Sequence, residues 1–350
     1  MKTPILCDPK KLHDFTTEIF HKSGVSIQNA DIQAELLIWA NLRGIDSHGV
    51  QRIPIYLEWI KTGIMNPKPD IIIEKDTPAT MLVEANRAPG PVVTKKITKM
   101  LIKKASSSGI SWANIRNTTH QGAMGYYSLM AADAGMAGIA IVCSPPNMAP
   151  TGSIAAGVHN SPISIAVPGI EKNHICLDMA TSIAAGGKIQ LAAEKGTQIP
   201  PNWALDSQGN PTTDPNIAEI LLPAGGPKGS GLALMFECLT SLMVNNPLIT
   251  TYIESNKPRI HIQNSVIAIL NISHFTDLEE YQNNINRLIK SIKSLPKDSK
   301  IKEIMIPGEP EKLILAQRST KGIPIPEITW SKLSNIAEIL NIDNSNVLVK

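Results

Sequence analysis

Hydrophobic positions along the chain recur with two different spacings, and they divide it into helical and extended stretches. Leu12, Phe15, Ile19 and Phe20 share one face of a helix opened by Asp8 and Pro9 and closed near Gly24. A second helix is expected over Gln28–Leu42, with Ala30, Ala34, Leu37 and Ala40 or Asn41 inward and Gly44 as its stop. A third follows Pro54, over Ile55–Lys61, and the NPKP run at Asn66–Pro69 ends this opening helical unit. Two short β-type runs, Ile71–Glu74 and Met81–Glu84, precede a helix over Pro91–Ser107 that buries Val93, Ile97, Met100 and Leu101. Ile110–Asn114 reads as a strand, leading into a small-residue helix that ends at Ala134. Further strands are expected at Ile139–Val142, Ile163–Val167 and Ile175–Leu177, then helices at Ser182–Ala193 and Ser230–Val244. The last third alternates strand (Val266–Leu270), helix (Leu278–Ile292), strand (Ile301–Ile306) and helix (Glu309–Gln317), before a final helix over Ser331–Leu340. Strands and helices interleave without the regular βαβ spacing of a doubly wound sheet.

Composition narrows the class of molecule. With 350 residues, 43% hydrophobic and 18% charged, the chain can bury a sizeable core in one large or two smaller domains. The 33 basic and 30 acidic residues give a net charge of only +3, and the lysine-rich bits read as solvated helix faces. No nucleic-acid partner is therefore expected. Cys7, Cys143, Cys176 and Cys238 lie far apart without a CxxC pair, as in a reduced compartment. The N-terminus lacks an apolar signal core, and the longest apolar run, Leu232–Val244, contains Glu237 and is too short to span a bilayer. These features point to the cytoplasm and to no membrane partner. Eight dispersed histidines make no ligand-like pair, so no metal site is expected. The motifs G-x-G-x-x-G, H-E-x-x-H and G-x-S-x-G are absent, and the GGK at Gly186 has Ser182 where a phosphate-binding loop needs glycine.

Candidate chemistry concentrates in Asn41–Tyr56, NLRGIDSHGVQRIPIY, where Ser47 and His48 sit on a glycine-flanked turn between two helices. Arg52 lies four residues past His48 and Tyr56 four past Arg52, so one helical side would carry all three. An imidazole gives or takes a proton near neutral pH, and a guanidinium grips a carboxylate through two parallel hydrogen bonds. A proton donor beside a carboxylate clamp suits reduction of a 2-oxo acid. Alone, such a turn is common on protein surfaces. Three other stretches add polar groups: Thr118–Gly122 with His120; Leu177–Ser182 with Asp178; and the glycine-rich Pro223–Gly231 around Lys228, which suits phosphate capture at a helix start.

In order along the chain, RGIDSHGVQRIPIY, THQGAMGYYS, LDMATS with GGK, IPPNWALDSQG, GGPKGSGLALM and IPGEP with the late Gly322–Ile323 resemble the malate/L-lactate dehydrogenase family of the non-Rossmann kind. That family includes sulfolactate and ureidoglycolate dehydrogenases, diketogulonate reductase and piperideine-2-carboxylate reductase. The resemblance implies an α/β (α+β) fold with a mixed, largely antiparallel sheet, a homodimer, and NAD or NADP held without the usual glycine fingerprint. It implies a discontinuous helical substrate domain, 1–75 plus 255–350, and a cofactor domain over 76–254. By the same likeness His48 is the proton donor, with His120 the runner-up, and Arg52 clamps the carboxylate. Ser47, Tyr56 and His120 line the substrate pocket, and Asp178 orients His48 and raises its pKa. Asp178, Met179, Ala180, Thr181, Ser182, Ile183 and Ala184, with Pro227, Lys228, Pro307, Gly308 and Glu309, would hold the dinucleotide. The family usually has Asn where Ser161 stands and His where Pro227 stands, so NAD and NADP both remain open. A cyclic imine carboxylate as substrate, or a relative that binds a metabolite without turnover, are the other readings.

Overall fold

In the computed structural model, which describes residues 4–255 and 261–349, the N-terminal segment folds as β1 (Ile5–Cys7), α1 (Pro9–Lys22), α2 (Ile27–Leu42) and α3 (Ile53–Lys61). Asp8 and Ser26 cap α1 and α2 by accepting hydrogen bonds from the Lys11 and Asn29 amides. Next come β2 (Ile72–Asp76), β3 (Thr80–Glu84), α4 (Gly90–Ser108), β4 (Ile110–Thr118), α5 (Gly125–Asp133) and β5 (Met136–Cys143). They are followed by β6 (Ile163–Val167), β7 (Ile175–Met179), α6 (Gly186–Lys195), β8 (Ala204–Leu205), β9 (Ile220–Leu221), α7 (Pro227–Thr240) and α8 (Ile249–Ser255). The chain ends through β10 (Gln263–Asn271), α9 (Leu278–Lys293), α10 (Glu309–Lys321), β11 (Ile323–Ile325) and α11 (Glu327–Ile339).

Seven strands form one sheet in the order β2-β3-β4-β10-β5-β6-β7, antiparallel throughout except for the parallel β3–β4 pair. This is the mixed, largely antiparallel sheet that the resemblance implied. Its middle strand comes from late in the sequence: β10 pairs with β4 on one side and β5 on the other. The sequence reading put everything from residue 255 with the helical part, but β10 is built into mid-sheet. Side chains alternate across it. Ile267 and Ile269 join the core under α4 and α5, with Ile97, Leu101, Ile115 and Tyr127. Val266 and Ala268 face the opposite layer, with Ile141 and Phe236 of α7.

A second core joins the two ends of the chain. Leu12, Phe15, Ile19, Leu37, Ile53 and Tyr56 pack with Ile323, Ile325 and Leu333, and β1 pairs antiparallel with β11. Three expectations need correction. Residues 301–306 are not a strand: the Asp298 carboxylate and carbonyl draw Lys300 and Ile301 into a turn, and Ile306 packs instead under Ile285 and Ile289 of α9. The helix expected from Ser182 starts only at Gly186, because the Ser182 hydroxyl donates to the Ala184 carbonyl and the Ile183 amide to Leu222. Finally, α7 ends at Thr240, and Leu242–Val244 is a separate 3-10 turn.

Candidate active site

Between the helical core and the sheet lies a cleft of about 2040 Å³. A single small-molecule pocket usually occupies roughly 300–1,000 Å³, so there is room for a dinucleotide and a small acid together. One wall is the turn after α2. It is two 3-10 turns, Asp46–His48 and Val50–Arg52, broken at Gly49, so His48, Arg52 and Tyr56 do not share one continuous helix as their spacing suggested. Asn41, 2% exposed, holds this turn from inside. Its Nδ2 donates to Asp46 Oδ1 at 2.7 Å, and its Oδ1 accepts from the Val50 amide at 2.8 Å. A Cβ on Gly49 would stand 2.2 Å from that amide oxygen, which is why glycine follows His48.

On this turn Ser47 Oγ and His48 Nδ1 are 2.9 Å apart, and Arg52 Nε donates to the Ser47 carbonyl at 2.6 Å. The terminal nitrogens of Arg52 make no hydrogen bond among the described residues, so its fork is available to a carboxylate. His120, from the segment after β4, stacks on His48 with ring centroids 5.3 Å apart and an interplanar angle of 27°. Its Nδ1 is 2.6 Å from the hydroxyl of Tyr56, a residue only 1% exposed whose phenol burial holds protonated. His48 is half-buried, and burial together with the neighbouring Arg52 cation pushes its pKa down to about 3.

Asp178 closes β7 on the facing wall, and it is not the partner of His48 that the sequence reading made it. Its Oδ2 accepts from the Gly125 amide at the start of α5, at 2.8 Å, and His48 has its pKa lowered rather than raised. A Cβ at Gly125 would lie 2.9 Å from that carboxylate oxygen and push it off the amide. Asp178 presents surface to the open cleft, yet the protein around it, with Glu311 in range, raises its pKa to about 6.

The cofactor candidates separate into four groups. Asp178, Met179, Ala180, Ser182, Ile183, Pro307 and Gly308 all line the cleft. Thr181 is buried just behind, with its Oγ1 unpartnered among the described residues and its carbonyl receiving the Ala224 amide at 2.8 Å; Ala184 is buried too. Pro227 and Lys228 stand exposed outside the lining, and Ala224 is the residue of their loop that reaches it. The Glu309 carboxylate is occupied in holding the IPGEP turn, receiving Lys293 Nζ at 2.9 Å and the Ile306 amide at 2.9 Å. A dinucleotide fits this floor: a glycine at φ +93° (Gly308), backbone polar groups at the end of β7, and a cavity of the right size.

Other lining residues carried no signal in one sequence. Asn147 and Asn160 pair side chain to side chain at 3.0 Å, and the Gln263 side chain accepts from the Gln121 amide at 2.9 Å. Arg43 lies over the Trp39 ring at 4.2 Å. Arg318 of α10 grips Asp46. Only the coincidence of several such groups in space marks them.

The model of the malate/L-lactate dehydrogenase family matches residues 7–334. The malate/(S)-sulfolactate dehydrogenase of Methanothermus fervidus is 34% identical over 342 residues, 97% of this chain and 99% of that one. The NAD(+)-dependent ureidoglycolate dehydrogenase of Escherichia coli is 30% identical over 92% of this chain and 93% of its own length. The solved malate dehydrogenase of Pyrococcus horikoshii superposes with a TM-score of 0.88 at 33% identity, covering 97% of each chain.

Proposed function

Because the chain belongs to the malate/L-lactate dehydrogenase family, we propose that it moves a hydride between a nicotinamide cofactor, NAD or NADP, and C2 of a small 2-hydroxy or 2-oxo acid. The observation that carries the reading is one wall of the cleft, where the Arg52 fork stands beside two stacked imidazoles backed by a buried tyrosine. When bound, the nicotinamide supplies the hydride in the reducing direction and accepts it in the other. The protein does the rest. Arg52 receives the substrate carboxylate, and Ser47 and the Tyr56–His120 pair shape the pocket around its C2 oxygen.

The proton is assigned to His120 rather than to His48. A group with a pKa near 3 is neutral at physiological pH and makes a weak proton carrier there. His120 instead rests on a hydroxyl that can accept from Nδ1–H when the ring is protonated and donate to Nδ1 when it is not. His48 stays neutral and orients the acid by hydrogen bonding. Asp178 belongs to the floor, with Met179, Ala180, Ser182, Ile183 and Pro307–Gly308, and this floor is where we put the cofactor. An absorbance assay with NADH and NADPH over pyruvate, oxaloacetate, sulfopyruvate and a cyclic imine acid tests the reading. Turnover of a 2-oxo acid is expected; turnover of the imine alone would move the substrate class, and none with any of them would remove catalysis.

Lys228 stands exposed at the start of α7, outside the lining, on a loop that reaches the cleft through Ala224, and we assign it a contact with a cofactor phosphate that extends past the cleft edge. An exposed charge contact is worth about 0.4–1 kcal/mol, so Lys228→Ala should weaken NAD(P)H binding about two- to fivefold in a fluorescence titration. Unchanged affinity would take that loop out of the site. The assembly that goes with this reading is a homodimer, in the cytoplasm. Leu234, Met235, Leu242 and Met243 leave an exposed apolar face along α7 and its following turn, which a second copy would cover. Light scattering should report a dimer, and Met235→Glu should shift it toward monomer; a monomeric parent protein would count against the assembly.

A further inference from the structure

The substrate wall and the cofactor floor are joined by one helix. Pro307, Gly308, Pro310, Glu311 and Lys312, at the start of α10, line the floor. Six residues beyond Lys312, roughly 9 Å along the helix, Arg318 reaches the opposite wall. There its Nη1 donates to Asp46 Oδ1 at 2.6 Å and its Nη2 to Asp46 Oδ2 at 3.0 Å, a two-pronged grip, and Nη1 also donates to the Asn41 carbonyl. Gly44, at φ +77° where glycine is favoured, lies under α10, and a Cβ there would press on the tip of Ile314 at 2.7 Å.

Asp46 immediately precedes Ser47 and His48. It is held from the other side by Asn41 Nδ2, and Asn41 also fixes Val50, so Ser47 and His48 are bracketed at both ends. Arg52 in turn hangs on the Ser47 carbonyl through Nε. A shift of Asp46 therefore carries the clamp with it. Resting on the functional reading above, we propose that Arg318 and Asp46 are positioning residues for the Arg52 clamp, and that α10 transmits to it the position of the cofactor floor. A buried or half-buried bidentate pair is a better tether than an isolated surface pair, because both hydrogen bonds fix direction as well as distance.

The test uses the whole protein with Asp46→Asn, Arg318→Met, Arg318→Lys and the Asp46→Asn/Arg318→Met double variant. Steady-state kinetics with the 2-oxo acid, NAD(P)H affinity by fluorescence and a thermal melt are measured for each. Asp46→Asn and Arg318→Met should each raise KM for the acid about tenfold and lower kcat severalfold, with NAD(P)H affinity of the binary complex within twofold of the parent. The double variant should be no worse than the poorer single one, since both break the same link. Arg318→Lys, which keeps one of the two hydrogen bonds, should recover part of the KM. A lowered melting temperature with KM and kcat unchanged would make the pair merely structural and overturn the proposal. So would additive losses in the double variant, or a loss confined to NAD(P)H affinity. An inactive parent protein would instead sink the functional reading itself, and that outcome is separate from all of these.

Discussion

His120→Gln should lower kcat for the 2-oxo acid by about 10²–10⁴, the usual worth of a positioned acid–base group, while cofactor affinity should stay near that of the parent. Glutamine keeps a hydrogen-bond donor on the Tyr56 hydroxyl but cannot surrender a proton. His48→Gln costs less, no more than about tenfold, because His48 is already neutral at pH 7 and its hydrogen bond with Ser47 Oγ can be imitated by an amide. The pH profile distinguishes the two further. Burial and the Arg52 cation depress the His48 pKa, so His48→Gln should leave the pH profile of kcat/KM between pH 5 and pH 9 as it is in the parent, whereas loss of the group that transfers the proton should change it. The opposite ordering returns the proton to His48. Full activity in both variants would leave neither histidine as the acid.

Arg52→Lys should lower kcat/KM for the 2-oxo acid by about one to two powers of ten, roughly 1.4–3 kcal/mol, although the positive charge is kept. One feature of the wall sets that size. The guanidinium is anchored by Nε on the Ser47 carbonyl, which aims both terminal nitrogens at once; an ammonium cannot hold the carbonyl and present two parallel donors. The loss should fall mostly on KM if the clamp grips ground and transition states equally. A KM near that of the parent would mean that the carboxylate is bound elsewhere in the cleft.

Much of this site was legible from local signals. Gly44, Gly49 and Pro54 marked the turn that carries Ser47, His48 and Arg52, and the 3.6-residue pattern gave the helices on either side. The chemistry of each group was readable too; its electrostatics were not. The pKa of His48 depends on Arg52 and on burial by elements far away in sequence, and Asp178 finds the amide of Gly125, 53 residues earlier, instead of the imidazole it was paired with. Arg318 carried no signal because its partner Asp46 is 272 residues away. Glu309 shows the reverse failure: a carboxylate in a turn that suited ligand binding is used up by Lys293 and the Ile306 amide. The Ile301–Ile306 run had the apolar, β-branched look of a strand, but the Asp298 turn and the packing of Ile306 under α9 decided otherwise.

The position of β10 in the sheet has a consequence for biosynthesis. Until Gln263–Asn271 leaves the ribosome, β4 and β5 have no strand between them, and each presents an open edge flanked by the apolar faces destined for α4, α5 and α7. Roughly 120 residues separate the end of β5 from the start of β10, which at translation rates of about 5–20 residues per second leaves those edges open for about 6–24 s. During that interval the open edges of two nascent chains on one message are available to pair with each other. Demand for a holdase chaperone, and sensitivity of yield to expression rate, should therefore track the delivery of this one late strand rather than the stability of the finished protein.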